Sequence, residues 1–281
     1  MKLTRNQAPV NAPSNAAGDT SRTSPATPLR EPARVGLPSG SPGRIAADSA
    51  DRSARNKAFK AVIFDLDNTL ADAKLVGDTA FDAAFQAIRQ ANHGRLSESQ
   101  LQDAFAACWH TAFYTVAAEH GFSAEMTEAG AQAFRNLRVP EEASYQGYGD
   151  LEMLQQLPMK RHLVTSGFRD FQNSKVERLG IRDDFDSIQI DDPEDHLPDA
   201  GPGKTPLFEK ICAQQGIRPD EVLVVGDNPA SEIAAGNALG MTTIQVLRPG
   251  IEASGDAHHQ ISDLSELLDA LGVDSPPHAQ A

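Results

Sequence analysis

Three short stretches of the sequence place oxygen-bearing residues directly behind apolar runs. Residues 61–64 are followed by Asp65, Leu66, Asp67, Asn68 and Thr69, residues 162–164 by Thr165, Ser166 and Gly167, and residues 222–225 by Gly226, Asp227 and Asn228. A short, nearly continuous apolar run reads as a strand covered on both faces. In an open parallel sheet the carboxyl ends of the strands lie along one edge, where ligands bind. The three runs would then bring the carboxylates of Asp65, Asp67 and Asp227 and the hydroxyl of Thr165 to one place. Carboxylates so gathered cannot all stay ionised without compensation. A hard cation resolves the conflict: magnesium takes oxygen ligands in an octahedron, commonly one or two carboxylates with phosphate oxygens and waters. It would also neutralise phosphoryl oxygens that otherwise repel an attacking carboxylate.

The elements that must position these groups can be read from periodicity. Strands are expected at 61–64, 162–164, 187–190, 222–225 and 242–247, alternating with helical patterns at 171–179, 206–215 and 229–239. The second of these helices has Thr205 as expected N-cap and Pro206 at its first position. This alternation predicts an α/β fold, a doubly wound parallel sheet with helices on both faces. Residues 70 to 164 break the rhythm, and a connection that long must carry structure of its own. Phe81, Ala84, Phe85 and Ile88 make one apolar helical stripe. Leu101, Phe105, Cys108, Ala112, Phe113 and Val116 make a second, opened by a Ser97 and Gln100 capping box, and Phe134 and Leu137 suggest a third. An inserted α-helical domain is therefore expected over 72–148, between core segments 58–71 and 149–273, with 150–157 as the helix returning to the sheet.

Residues 1–57 are rich in Ala, Pro, Ser, Gly and Arg without apolar periodicity, so a disordered N-terminal tail is expected there, and a short C-terminal tail over 274–281. An Arg- and Ser-rich beginning can be a transit segment, but it shows neither a clear amphipathic helix nor a secretory apolar stretch. The chain of 281 residues carries a formal net charge of −14. Residues 1–57 hold nine Lys or Arg against four acids, a net +5, which leaves −19 for the rest. That balance speaks against a nucleic-acid partner, since backbone binding rests on clustered cations. No apolar run approaches the ~20 residues of a membrane span. Cys108 and Cys212 lie in apolar helical patterns with no zinc or redox spacing, as expected of buried thiols in a reducing compartment, and the cytoplasm is the expected location.

The residues that could do chemistry also carry a family resemblance. FDLDNTL at 64–70 resembles the DxDxT first motif of the haloacid dehalogenase superfamily, and VTSG at 164–167 resembles its second. Lys204 in GKTPLFEKI resembles the third-motif lysine, and VVGDNPASEIAAGNALGM at 224–241 resembles the fourth motif. The order and spacing match over about residues 60 to 270, in the phosphoglycolate phosphatase-like branch. The resemblance implies that Asp65 is the nucleophile forming an aspartyl-phosphate and that Asp67 is the general acid and then base. It implies magnesium held by the Asp65 carboxylate, the Asp67 backbone carbonyl and the Asp227 carboxylate. Thr165, Ser166 and Lys204 would bind the phosphoryl group, helped by N–H groups of the following helix. Thr69 would position the Asp67 loop. The second acid of the fourth motif, usually Asp, is Glu232 here, read either as outer support to the metal or as a helix N-terminal charge, and Asn228 is a candidate outer-shell ligand. Helical inserts between the first two motifs act as caps in this family, and 72–148 resembles one.

The expected activity is hydrolysis of a small-molecule phosphate ester, with phosphoglycolate-like compounds, sugar phosphates and nucleoside monophosphates all fitting. A phosphomutase would pass the aspartyl-phosphate back to a sugar. A metal-independent haloacid dehalogenase lacks the acid at the Asp67 position, and a non-catalytic phospho-receiver is shorter. Lys160 and Lys175 are weaker candidates for the Lys204 role. Trp109, His110, Arg135, Arg138, Tyr145 and Tyr148 read as packing residues that could also reach substrate, and His258 and His259 as surface histidines beyond the last strand.

Overall fold

The computed structural model describes residues 59–195 and 203–270. The tails expected at 1–57 and 274–281 lie outside the described residues. Six parallel strands form one sheet: β1 (Ala61–Phe64), β2 (Lys160–Ser166), β3 (Ser187–Asp191), β4 (Val222–Gly226), β5 (Thr242–Val246) and β6 (His259–Ile261), in the order β3-β2-β1-β4-β5-β6. From β1 the chain steps outward through β2 to β3, then returns to lay β4 on the other side of β1. The winding therefore reverses between β1 and β4, and such a switch point opens a crevice at the carboxyl ends of the strands. Phe64 lies opposite both Leu163 and Val225, so the residues that follow β1, β2 and β4 emerge close together.

Between β1 and β2 the insert holds α1 (Asp82–Ala91), α2 (Glu98–Ala107), α3 (Phe113–Glu119) and α4 (Ala124–Arg135). The expected capping box opens α2, with Ser97 Oγ accepting from Gln100 N–H at 3.3 Å and Gln100 Oε1 accepting from Ser97 N–H at 2.9 Å. The single helix expected across Leu101 to Val116 is two. The chain turns over residues 108–112, where the Trp109 ring stacks on Phe81 with centroids 4.2 Å apart. The third expected helix is α4, which stops at Arg135, short of Leu137. The insert interior is aromatic and runs into the core, because Phe134 stacks on Phe168 at 5.3 Å, just ahead of α5 (Arg169–Leu179).

Side chains of the central strands alternate between two interiors, as the period-two pleat requires. Val62, Phe64, Leu223 and Val225 pack with Val176 of α5 and with Leu267 and Leu268 of the C-terminal helix over Ser265–Ala270. Ala61, Ile63, Val222 and Val224 pack with Phe208 and Ile211 of α6 (Thr205–Gln215) and with Ala235 of α7 (Ala234–Ala238), so the C-terminal helix is α8. The doubly wound expectation is met. Some local expectations are not. The return segment is helical as expected, but as a 3₁₀ helix over Leu151–Gln156. Lys204, not Thr205, occupies the N-cap of α6, because its side chain is drawn inward. The fifth strand is not the last, for His259 begins β6, while exposed His258 accepts from Thr243 N–H at 3.2 Å. Both cysteines are free, and among the described residues no helix is long and apolar enough to cross a membrane.

Candidate active site

The turn after β1 is built to expose its acids. Leu66 and Leu70 are fully buried anchors, and Leu66 O accepts from the N–H groups of Leu70 and Ala71 at 2.9 and 3.2 Å. Asn68 between them adopts φ 55°, a left-handed conformation that Asn tolerates better than most residues. Asp65 continues directly from β1, its N–H donating to Val225 O at 3.0 Å, which ties it to the strand that ends at Asp227. Asp65, Asp227 and Glu232 each offer a carboxylate oxygen, and these oxygens lie within 4.8 Å of one another.

Glu232 reaches that cluster through local backbone chemistry. Residues Pro229–Ile233 form one π-helical turn before α7, where a continuous helix from 229 was expected. Such turns often mark functional sites. Here the turn lets Glu232 fold back so that Oε1 accepts the Asn228 N–H at 2.6 Å. Gly226 makes room, since a Cβ on it would lie 2.2 Å from the Glu232 side chain. Glu232 is therefore part of the buried cluster and more than a charge at a helix start. Asn228 is exposed and spends its Oδ1 on Ala230 N–H at 3.0 Å, so its side chain serves the turn.

The Lys204 ammonium sits between two of the acids, 2.6 Å from Asp65 Oδ1 and 3.0 Å from Glu232 Oε2, with all three residues buried. Burial pushes the Asp65 carboxyl up to about 8; Lys204 opposes this, and repulsion from Glu232 and Asp227 adds to it. Asp227 is pushed up to about 7 by burial and by Glu232, again against Lys204. Burial works against the Lys204 ammonium, but Asp65 and Glu232 outweigh it and raise its pKa. Three carboxylates sharing one ammonium are short of positive charge, and hard oxygen donors so arranged fit a divalent cation such as magnesium.

Asp67 points elsewhere. Lys175 Nζ grips both its oxygens at 2.7 and 2.8 Å, and Gln172 Nε2 reaches Oδ2 at 3.3 Å. Gln172 and Lys175 are three apart on α5 and so share one face. Lys160 is far more exposed and pairs with Asp186 at 2.5 Å. Thr165 is buried at the end of β2, whereas Ser166 is exposed and donates to Asp191 Oδ2 at 2.9 Å. The first N–H of α5, on Arg169, is taken by Asp192 Oδ2 at 3.1 Å. Thr69 Oγ1 lies 3.5 Å from Asp227 Oδ1.

One supporting residue has no signal in the sequence. Buried Arg248, two residues beyond β5, donates to Thr69 O at 2.9 and 3.1 Å and to both Asp150 oxygens at 2.8 and 3.0 Å, and it lies 4.1 Å over the Tyr148 ring. It ties the acid-bearing turn to the segment that returns from the insert.

Comparison with known proteins agrees with this arrangement. Residues 59–240 match the family of haloacid dehalogenase-like hydrolases. A phosphoglycolate phosphatase of Chromobacterium violaceum is 30% identical over 230 residues, covering 76% of this chain and 97% of its own length. A glyceraldehyde 3-phosphate phosphatase of Methanopyrus kandleri is 27% identical over 209 residues, covering 68% and 84%. The crystal structure of a HAD phosphatase from Thermococcus onnurineus has the same fold, with a TM-score of 0.51 at 22% identity, over 76% of this chain and 99% of that one. The chain thus belongs to the haloacid dehalogenase-like hydrolases, in their phosphatase branch.

Proposed function

We propose that this phosphatase is magnesium-dependent and hydrolyses a small phosphorylated metabolite through an aspartyl-phosphate on Asp65. The observation that carries this reading is the buried group of Asp65, Asp227 and Glu232 at the switch point of the sheet, with Lys204 bonded to two of its members. The Asp65 and Asp227 carboxylates and the Asp67 carbonyl would hold the ion, with Glu232 supporting them through Lys204. When bound, the ion supplies neutralisation of the phosphoryl oxygens facing Asp65.

With Oδ1 engaged by Lys204, the other Asp65 oxygen attacks phosphorus. The acyl–phosphate bond forms, the ester P–O bond breaks, and Asp67 gives its proton to the leaving alkoxide. Asp67 then takes a proton from the water that attacks phosphorus, which releases inorganic phosphate and restores Asp65. Gln172 and Lys175 keep Asp67 in place, and Thr165 and Lys204 bind phosphoryl oxygens. In this reading residues 72–148 are a cap that closes over the core of 58–71 and 149–273 and limits which esters enter. The free thiols fit a reducing compartment, and we place the enzyme in the cytoplasm.

EDTA should abolish release of inorganic phosphate from p-nitrophenyl phosphate, magnesium should restore it, and acid quenching should trap phosphate on Asp65. Full activity without metal would refute the reading. Phosphoryl return to a sugar without phosphate release would identify a phosphomutase instead.

A further inference from the structure

Two buried polar atoms near Asp67 have no hydrogen-bond partner in the protein: the Tyr145 hydroxyl and Gln172 Oε1. Each residue is only 4% exposed. A polar group buried without a partner loses its hydration and gains nothing in return, so folded proteins keep few, and each calls for an explanation.

Gln172 is bonded to Asp67, and Tyr145 packs in one cluster with Ala71 of the turn after Asp67 and with Phe168 and Phe171 beside Gln172. Gln172 Nε2 donates to Asp67 Oδ2 at 3.3 Å and to Ser166 O at 2.8 Å. Both partners are acceptors, so the amide has one sensible orientation, and its oxygen is left over. Gly167, at φ 140°, admits that amide, since a Cβ there would lie 2.6 Å from Gln172 Nε2. Tyr145 belongs to the segment returning from the insert. Its neighbours tie that segment to the turn after Asp67, Tyr148 N–H donating to Leu70 O at 2.9 Å and Gly147 bridging to Ala71. Burial, with the charges of Asp67 and then Asp65, holds the Tyr145 hydroxyl in its protonated, donating form.

Resting on the phosphatase reading above, we propose that Tyr145 and Gln172 select the carbon skeleton of the substrate, and that this skeleton carries an uncharged hydroxyl next to the phosphoester carbon, as in polyol and sugar phosphates. The chemistry of the two orphans is complementary to one such group. Tyr145 has a proton to give and Gln172 Oε1 can only accept, and a single hydroxyl accepts from the first while donating to the second. A carboxylate in the same place would offer no proton to Gln172 and would add negative charge beside Asp67. Lys175 and Lys204, the cations touching these acids, are already matched to Asp67 and to Asp65 and Glu232.

The test uses the full chain with magnesium, assayed for phosphate release from glycerol 3-phosphate and from phenyl phosphate, which has no polar atom beyond its ester oxygen. In Tyr145→Phe the ratio of kcat/KM for the first ester over the second should fall by roughly tenfold or more. The melting temperature should hold or rise, because the change removes a hydroxyl that had no partner. A ratio within about twofold of wild type overturns the inference, and so does a melting temperature lowered by several degrees, the sign of a hydroxyl bonded inside the fold. Wild-type protein inert toward glycerol 3-phosphate but active on phenyl phosphate overturns it while the phosphatase reading stands. Wild-type protein inert toward both esters defeats the two together.

Discussion

The carboxyl edge of the sheet and the helical insert each bury side chains tightly, but of opposite kinds. At the edge Asp65, Thr165, Lys204, Asp227 and Glu232 are buried, and the acids answer to a lysine from another element. In the insert the interior is Phe85, Phe105, Phe113 and Phe134, joined by Phe168 and Phe171 at the start of α5. Hydrophobic burial is non-directional, whereas a buried charge is only as stable as the partner aimed at it. The edge is held by strand register and by ion pairs, the insert by the packing of its rings. The insert packs onto the start of α5 through Phe168 and Phe171, and Tyr145 lies in the same apolar cluster.

The sharpest way to separate the two regions is Asp65→Asn, which removes the proposed nucleophile and leaves the packing. Turnover of p-nitrophenyl phosphate should drop by at least about a thousandfold, with a melting temperature no lower than wild type. Lys204→Met should damage both properties. It leaves Asp65 and Glu232 buried without their ammonium, and removing one partner of a buried pair costs about 3–5 kcal/mol, measured by urea unfolding, alongside at least about a hundredfold loss in kcat. If Lys204→Met folds as stably as wild type, the edge is less tightly coupled than the distances imply.

Legibility in the sequence followed the same division. The bounds of β1 are those expected, and β2 to β5 were found with errors at their ends; β1 and β4 are central and buried throughout, which makes them continuous apolar runs, while β3 is an edge strand that was found despite its half-exposed residues. β6 was missed, since His259 and Gln260 are exposed and Ile261 alone of its three residues is buried. Residues after strands could be placed together because topology does that work. Which face of α5 turns inward could not be read, so Lys175 ranked below Lys204 although it holds Asp67. Arg248 follows an apolar strand like any surface arginine, and only the fold shows it beneath Thr69. The reach of Glu232 depended on a π-helical turn that no propensity announces. The orphaned hydroxyl of Tyr145 is a property of packing, so its side chain was legible only as a candidate.

A smaller loss is expected from the insert. Phe134 lies against Phe81, Phe85, Phe113 and Phe168, and Phe134→Ala should cost about 3 kcal/mol, as other large-to-small core changes do. The loss should show as early protease cleavage within residues 82–135 and a raised KM. Magnesium-dependent protection of the core against urea should survive, because the carboxylates sit on the sheet. Loss of that protection together with the insert would show that the two regions fold as one unit.

The smallest effect concerns pH and isolates the cost of gathering acids without a cation. Asp227 has its folded-state pKa raised from 3.8 to about 7, by burial first and by Glu232 second. Between those values the folded chain holds a proton that the unfolded chain has released, so stability falls as pH rises across the interval and levels off above it. In EDTA, wild type and Asp227→Asn should melt together only well below the unfolded-state value of 3.8, where Asp227 is neutral in both states. By pH 8 the variant should melt a few degrees higher, having no charge to bury. Magnesium should reverse that ranking, since the ion binds the ionised carboxylates and stabilises only the protein that retains them. A gap between the two proteins that stays constant with pH would mean that Asp227 is solvated well enough to ionise normally, and that the edge does not need an ion to stay together.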